Sequence, residues 1–189
     1  MRITLSRNAA RNIDAFDRRV DRAFDHLRGR GPADRLFYGA SAVGDHGMIW
    51  VILGAVRGLR GEHHWRAAVR VGVGVGIESV VVNLGVKSLF RRTRPVVATP
   101  RPLPLRIPLT SSFPSGHATS AFCAATLLAD GDRTLAPLYY GVATIVALSR
   151  VHVRIHHASD VVGGVAMGII LGHLGRHLYP LELEPVAGG

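Results

Sequence analysis

The sequence predicts an all-α protein: a multi-pass membrane bundle of about five transmembrane helices, preceded by an amphipathic N-terminal helix. Hydrophobic residues make up 48% of the 189 residues, and the mean hydropathy is +0.22. Five apolar segments follow one another with short polar connections. Small residues recur at intervals of three or four, as they do where helices pack closely in lipid.

The amphipathic helix is predicted over residues 8–28. Apolar side chains recur there at steps of three or four: Ile13, Phe16, Val20, Phe24 and Leu27. This period is that of one helix face. The other face mixes arginines with aspartates, which is typical of a packed or interfacial helix rather than of a polybasic membrane anchor.

The five apolar segments are the candidate membrane spans. They cover residues 36–56, 67–90, 118–129, 135–148 and 161–178. Charged residues interrupt the first two and the last three are short, so none is a charge-free run of about 18 residues. The last three reach near-spanning length when each helix is extended through the polar cluster at its end. We assign residues 1–35 to the N-terminal part, 36–180 to the main domain and 181–189 to a C-terminal tail.

Small-residue faces favour a helical bundle. Gly164, Gly168 and Gly172 repeat every four residues, which lets two helix backbones approach closely. A similar face is formed by Ala118, Ala121, Ala125 and Ala129. Such faces also permit packing between copies, so a homo-oligomer is compatible with the sequence.

Composition excludes two classes of protein. The net charge of +10 would suit a nucleic-acid binder. The arginines, however, concentrate in residues 1–35 and in the polar clusters, so no nucleic-acid partner is expected. The N-terminus lacks the apolar stretch of a cleavable signal, so export as a soluble protein is not expected.

The single cysteine, Cys123, has no partner for an internal disulfide and is predicted to be a buried thiol.

Three polar clusters of fixed spacing lie at the ends of the apolar segments. They read Lys-x6-Arg-Pro, Pro-Ser-Gly-His and Ser-Arg-x5-His-x3-Asp, beginning at Lys87, Pro114 and Ser149. If all five segments span the membrane, these ends share one side. Eleven specified positions make chance agreement improbable.

The basic residues of the clusters suit a phosphate group. Lys87, Arg94 and Arg150 supply three positive charges, and arginine adds paired planar donors. Ser115 and Gly116 are predicted at a helix start, where backbone N–H groups favour an anion. A plain helix cap by Ser115 is a compatible alternative.

The remaining polar residues suit acid and nucleophile chemistry. His156 and Asp160 are four apart, so on a helix the carboxylate would accept the Nδ1 proton and leave Nε2 free to attack. His117, on the first turn of its helix, can protonate a leaving oxygen.

Other charged residues stay outside the predicted site. Arg91 and Arg92 are interpreted as side chains that extend to the membrane interface. Asp45 and Glu78 interrupt apolar segments, where a carboxylate is either functional or paired with a cation such as Arg70. We assign neither to the site.

On these three clusters, residues 87–160 resemble the type 2 phosphatidic acid phosphatase superfamily. That superfamily includes lipid phosphate phosphatases, bacterial class A acid phosphatases and vanadium haloperoxidases. The resemblance implies that His156 is a nucleophile forming a phosphohistidine, with Asp160 orienting it and His117 as general acid. It also implies phosphate binding, with no metal or cofactor, by Lys87, Arg94, Ser115, Gly116, His117 and Arg150. The chain departs from the family at Arg154 and Ala158, where many members have glycine and proline, and these departures bear on head-group fit.

The expected function is that of a membrane phosphatase acting on a lipid-linked phosphomonoester or diphosphate. Prenyl phosphates such as undecaprenyl diphosphate and glycerolipid phosphates are the substrate classes that the resemblance implies. The alternatives are a vanadate-dependent haloperoxidase, which the short chain disfavours, and a non-catalytic membrane scaffold, which the complete clusters disfavour.

Charge asymmetry predicts the orientation in the cell membrane. Residues 1–35 carry nine arginines on the side of the clusters, and the positive-inside rule then places the N-terminus and the active site toward the cytoplasm. The proline-rich segment 95–112 joins the first two clusters, so we expect this loop to roof the site or to meet the head group.

Overall fold

The computed structural model describes residues 6–97, 101–105 and 107–181, and the secondary structure there is helical. Seven helices follow in order: α1 (Arg7–Asp25), α2 (Gly31–Val43), α3 (Met48–Gly58), α4 (Glu62–Val80), α5 (Gly116–Gly131), α6 (Ala136–His152) and α7 (Ala158–Leu178). α4 continues through a π-helical turn, Val81–Val86, and a last turn, Lys87–Leu89. The all-α prediction is confirmed. Most of the predicted C-terminal tail, residues 182–189, lies outside the described residues.

The core of the bundle is the packing of α5 against α4, α6 and α7. α5 can lie at the centre because its alanine-rich sequence is buried on nearly every side. The predicted glycine face of α7 is used within the chain. A Cβ on Gly172 would stand 2.6 Å from the Cβ of Thr126 on α5, so only glycine permits this backbone approach. The oligomeric state stays a prediction.

Among the described residues, two continuous helices are long and apolar enough to cross a membrane: residues 64–89 and 158–178. They correspond to the second and fifth predicted spans. The first predicted span is wrong as a single helix, because α2 and α3 meet at an angle of 75°. The chain bends there through a 3-10 turn, Asp45–Gly47, in which Gly47 has a φ of 68°. The pair forms at most one broken span. α5 has 16 residues and α6 has 17, whereas a membrane-spanning helix needs about 20. Five spans therefore stay a prediction.

α1 is amphipathic, as predicted, and packs its apolar side against α6 and α7. Val20 and Phe24 contact a small buried cluster formed by the starts of α5 and α7 and the second half of α6. Asp17, on the same face, is buried and accepts hydrogen bonds from the backbone N–H and the hydroxyl of Ser159, both at 2.8 Å. α1 is therefore fixed to the end of the bundle at which α7 begins.

Candidate active site

The three polar clusters meet at one end of the bundle. Lys87 lies in the last turn of α4, Ser115 caps α5, and Arg150 lies near the end of α6. The backbone N–H of Ser115 donates to the carbonyl oxygen of Asp160 at 3.0 Å, which joins the starts of α5 and α7. Nζ of Lys87 is 3.4 Å from the position that a Cβ on Gly116 would take. Lysine and backbone N–H groups thus face the same small region.

His156 lies in the turn before α7 and is buried, with 3% of its surface exposed. Nη1 of Arg94 lies 3.1 Å from its Nε2. Because a guanidinium can only donate, Nε2 is the acceptor and carries the lone pair. The ring proton is therefore on Nδ1. Burial lowers the pKa of His156 to about 3, so the imidazole is neutral at physiological pH.

His156 and Asp160 are neighbours, but not for the reason that the sequence suggested. His157 is the N-cap of α7, so His156 lies outside the helix and Asp160 is its third residue. The Asp160 carboxylate accepts the backbone N–H of His157 at 2.8 Å in a capping box. The placement of both residues on one helix is therefore wrong. Nδ1 of His156 lies 3.6 Å from Oδ2 of Asp160, beyond hydrogen-bond length.

Ser112 fills the gap between the two side chains. Its hydroxyl donates to Oδ2 of Asp160 at 2.6 Å and lies 3.4 Å from Nδ1 of His156. A hydroxyl can accept one proton while it donates another. Ser112 is itself fully buried, so this bridge is shielded from water.

Arg92 is a site residue that the sequence interpretation missed. Instead of reaching the membrane interface, it donates from Nη1 to Oδ1 of Asp160 and from Nη2 to Oδ2 of Asp17, each at 2.6 Å. The Asp160 side chain is 0% exposed, and a buried carboxylate requires a cation or several donors. The sequence contained one indication that a buried cation was needed here. Asp17 interrupts the apolar stripe of α1, four residues after Ile13 and three before Val20.

Arg150 is almost fully buried and offers donors to an anion. Nη1 donates to the hydroxyl of Ser41 on α2. Its Nε and Nη2 have no hydrogen-bond partner among the described residues. Buried donors without partners are costly in a folded protein, which suits a guanidinium that binds a phosphate.

His117 is held from the break between α2 and α3. Its Nε2 lies 2.9 Å from Oδ1 of Asp45 and 3.3 Å from the carbonyl oxygen of Ser41. A Cβ on Gly44 would stand 2.9 Å from Cδ2 of the ring. The Cδ2–Nε2 edge of the imidazole is therefore fixed against this turn. Asp45, which the sequence left without a role, belongs to the site.

Glu78 has a different partner from the one considered. Arg70 pairs with Asp130 at 2.7 Å, whereas Glu78 accepts the hydroxyl proton of Ser120 on α5 at 2.6 Å. Glu78 is buried in α4, nine positions before Lys87. We give it no part in the chemistry.

A cavity of about 750 Å³ opens beside Lys87 and Arg94. Its walls are the end of α4 with the segment that follows it, and residues 108–111. The latter belong to the proline-rich loop, which therefore borders the site.

The family model of the PAP2 superfamily matches residues 67–183, more than half of the chain. The chain belongs to the PAP2 superfamily. Its match includes every residue of the three clusters, so the resemblance drawn from them is confirmed.

Two relatives of this chain are named as phosphatases of lipids or lipid-linked sugars. The chain is 36% identical over 140 residues to the decaprenylphosphoryl-5-phosphoribose phosphatase of Mycobacterium tuberculosis, covering 71% of this chain and 73% of the relative. It is 35% identical over 122 residues to the lipid A 1-phosphatase of Porphyromonas gingivalis, covering 61% of this chain and 24% of the relative. The prediction of a PAP2-type membrane phosphatase is confirmed, and the haloperoxidase and scaffold alternatives are disfavoured.

A solved PAP2 structure has the same fold. The crystal structure of a transmembrane phosphatidylglycerolphosphate phosphatase from Bacillus subtilis aligns with a TM-score of 0.69 and 22% sequence identity. The alignment covers 88% of this chain and 86% of that one. The helical bundle is therefore that of a PAP2 membrane enzyme.

The departure from the PAP2 pattern at Arg154 has a structural counterpart. Arg154 has a φ of 53°, in the left-handed region that favours glycine. Its Nη2 lies 2.6 Å from Oδ1 of Asp25, at the end of α1. A cation that contacts α1 thus occupies the turn before the predicted nucleophile.

Proposed function

We propose that this PAP2 protein hydrolyses the phosphomonoester or diphosphate of a prenyl or glycerolipid through a covalent phosphohistidine on His156. The observation that supports this most directly is the protonation of that ring. Arg94 donates a hydrogen bond to Nε2, so Nε2 carries a lone pair. That lone pair can attack phosphorus once the Arg94 guanidinium moves its hydrogen bond from Nε2 to a phosphate oxygen. Nδ1–H faces Ser112 and Asp160.

In the first step, Nε2 of His156 attacks phosphorus and the bond from phosphorus to the lipid oxygen breaks. His117 donates a proton to that leaving oxygen. Lys87, Arg94 and Arg150 offset the negative charge on the phosphoryl oxygens, assisted by backbone N–H groups at the start of α5. The imidazole becomes positive when the P–N bond forms. Asp160 stabilises that charge through the Ser112 hydroxyl.

In the second step, water replaces the histidine. His117, now neutral, accepts a proton from the water as its oxygen attacks phosphorus, and the P–N bond breaks. Inorganic phosphate leaves, and Nε2 regains its lone pair. A diphosphate follows the same course, with the oxygen of the lipid monophosphate as the leaving group.

Asp45 is a positioning residue in this scheme. It holds Nε2 of His117 at 2.9 Å, so the proton that is exchanged with substrate is the one on Nδ1, at the other edge of the ring. The negative charge of Asp45 also favours the protonated imidazole that the first step needs.

We place the enzyme in the cell membrane, with five spans and the active site toward the cytoplasm. The nine arginines of residues 1–35 support this orientation, and α1 contacts the site through Asp17 and Arg92. A cysteine introduced at Leu103, half exposed in the proline-rich loop, reports the side. Labelling of intact cells by an impermeant maleimide would contradict the inward orientation.

The test of the activity is phosphate release by purified protein from a panel of lipid phosphates in detergent, with EDTA present. We expect His156→Ala to lose at least about a thousandfold in rate, as removal of a nucleophile does. His177→Ala, at an exposed position near the end of α7, is the matched control and should keep full activity. Alkaline quenching during turnover should trap an acid-labile phosphoprotein. Full activity of His156→Ala would refute the mechanism.

A further inference from the structure

Lys87 is a buried cation that is held by an uncharged side chain. Only 7% of its surface is exposed, and its Nζ donates to Oδ1 of Asn83 at 2.9 Å. Within the described part of the chain, none of the ion pairs includes this ammonium. Glu78, nine positions earlier, accepts the hydroxyl proton of Ser120 instead. The amide of Asn83 is therefore what fixes the position of Nζ.

The orientation of the Asn83 amide is itself determined by hydrogen bonds. An ammonium can only donate, so the atom that faces Lys87 must be the amide oxygen. Nδ2 then points the other way and donates to Oγ of Ser79 at 3.1 Å. Asn83 belongs to the π-helical turn, Val81–Val86, that leads directly into Lys87, and such turns are frequent at functional sites.

Asn83 and Lys87 both lie against the start of α5. The position that a Cβ on Gly116 would take is 3.4 Å from Nζ of Lys87 and 4.0 Å from Oδ1 of Asn83. Gly116 is the first residue of α5, where backbone N–H groups favour an anion. The hydrogen bond to Asn83 uses one of the three N–H groups of the ammonium, so two stay available to a phosphate.

The absence of charge on Asn83 matters for this arrangement. A carboxylate at the same position would also hold Lys87, but it would offset the positive charge and repel the phosphate beside Gly116. We propose that Asn83 is a positioning residue, whose neutral carbonyl directs the Lys87 ammonium toward the phosphate and leaves its full charge in place. This inference rests on the phosphate site proposed above and adds a residue from outside the three clusters.

The test compares Asn83→Leu with Asn83→Asp, two side chains close to asparagine in size. Isothermal titration calorimetry in detergent measures the affinity of the purified protein for orthovanadate, a phosphate analogue. We expect Asn83→Leu to bind it about tenfold more weakly, because Lys87 loses the hydrogen bond that orients it. Asn83→Asp should bind it about a hundredfold more weakly, because the new charge offsets that of Lys87 and repels the anion.

A purely structural role for Asn83 predicts the opposite order. Asn83→Asp keeps an oxygen for Lys87 and strengthens the hydrogen bond between them, whereas Asn83→Leu removes it. Leu84→Asp is the matched control, because Leu84 is 75% exposed and follows Asn83 on a different face of the helix. We expect its orthovanadate affinity to stay near that of the wild type.

A second measurement asks whether Asn83 acts through Lys87. In a protein that already has Lys87→Met, adding Asn83→Leu should change the orthovanadate affinity little, since the two residues then share one effect. An equal loss from Asn83→Leu in the wild-type and Lys87→Met backgrounds would show that Asn83 acts elsewhere.

The outcomes separate this proposal from the phosphatase. If Asn83→Asp binds orthovanadate as tightly as the wild type, or more tightly than Asn83→Leu, the positioning role is refuted, whatever the wild type does with lipids. Failure of the wild type to bind orthovanadate would also refute it. If the variants follow the expected order but the wild type releases no phosphate from the lipid panel, the phosphatase proposal fails and the role of Asn83 stands.

Discussion

Gly164→Ala tests whether the close contact of α5 and α7 sets the geometry of the site. A Cβ at this position would stand 2.6 Å from the carbonyl oxygen of Ser115 and 2.9 Å from the Cβ of Ala118. The Ser115 oxygen is a backbone atom and cannot rotate away from the new methyl group. It also accepts hydrogen bonds from the N–H and the hydroxyl of Thr119, at 3.0 and 2.8 Å. The helices must separate to accept the methyl group.

The size of the effect follows from two opposing contributions. Overpacking costs about 1–3 kcal/mol, and replacing a helical glycine by alanine returns about 0.5–1 kcal/mol. The net loss is about 1–2 kcal/mol, or about 2–8 °C in Tm for a chain of this length. Activity should fall further, by about a hundredfold for a displacement of about 1 Å. Ser115, the residue that must move, directly precedes Gly116 and His117 of the predicted site.

Thermal unfolding in detergent and lipid phosphate hydrolysis measure the two effects. Gly76→Ala is the matched control: it lies in α4, where a Cβ would meet nothing within 4 Å. We expect this control to keep its activity and to gain up to about 1 kcal/mol. The reasoning is wrong if Gly164→Ala behaves like Gly76→Ala in both assays.

Three further predictions concern the charges of the site. Arg92→Leu should destabilise the protein by about 3 kcal/mol and abolish most activity, because it leaves the buried Asp160 carboxylate without its cation; thermal unfolding and phosphate release measure this, and Arg92→Lys should recover part of both. Asp45→Asn should move the descending limb of the kcat/KM profile to lower pH, because His117 then loses its proton more readily. His156 should make stability fall as pH decreases from about 6.5 to about 3, since the unfolded chain binds a proton that the folded one excludes; unfolding midpoints against pH measure this.

Each of these predictions has a contradicting result. Wild-type stability in Arg92→Leu would show that the Asp160 carboxylate is satisfied by its other donors. If Asp45→Asn left the pH profile of kcat/KM unchanged, or lowered kcat/KM equally at every pH, the role of Asp45 would be structural only. The third prediction, that stability falls with decreasing pH because of His156, is tested by comparing the wild type with the His156→Gln variant. If this variant keeps the same acid dependence as the wild type, the histidine is not its source.

The sequence predicts the convergence of the clusters because alternate helix ends of a bundle share one side. That inference needs only segment order, and Lys87, Ser115 and Arg150 follow it. Asp17 and Arg92 were not placed, because their contacts with α7 join residues that are far apart in the chain, and periodicity defines faces only within one element. The apolar run 36–56 concealed a break for a related reason. Gly44 and Gly47 mark the turn, but glycine is also common inside membrane helices.

The contacts of Asp160 determine when the site can form during synthesis. Its carboxylate needs Arg92 from the middle of the chain, and Arg92 needs Asp17 from the first helix. α7, which contains Asp160, follows the other six described helices in the chain. The first six helices can therefore insert and pack while the imidazole environment is incomplete. A chain that is truncated before α7 keeps every predicted phosphate-binding cation and His156, but it lacks Asp160 and the Ser159 contacts to α1, so the predicted nucleophile has no partner until α7 is in place.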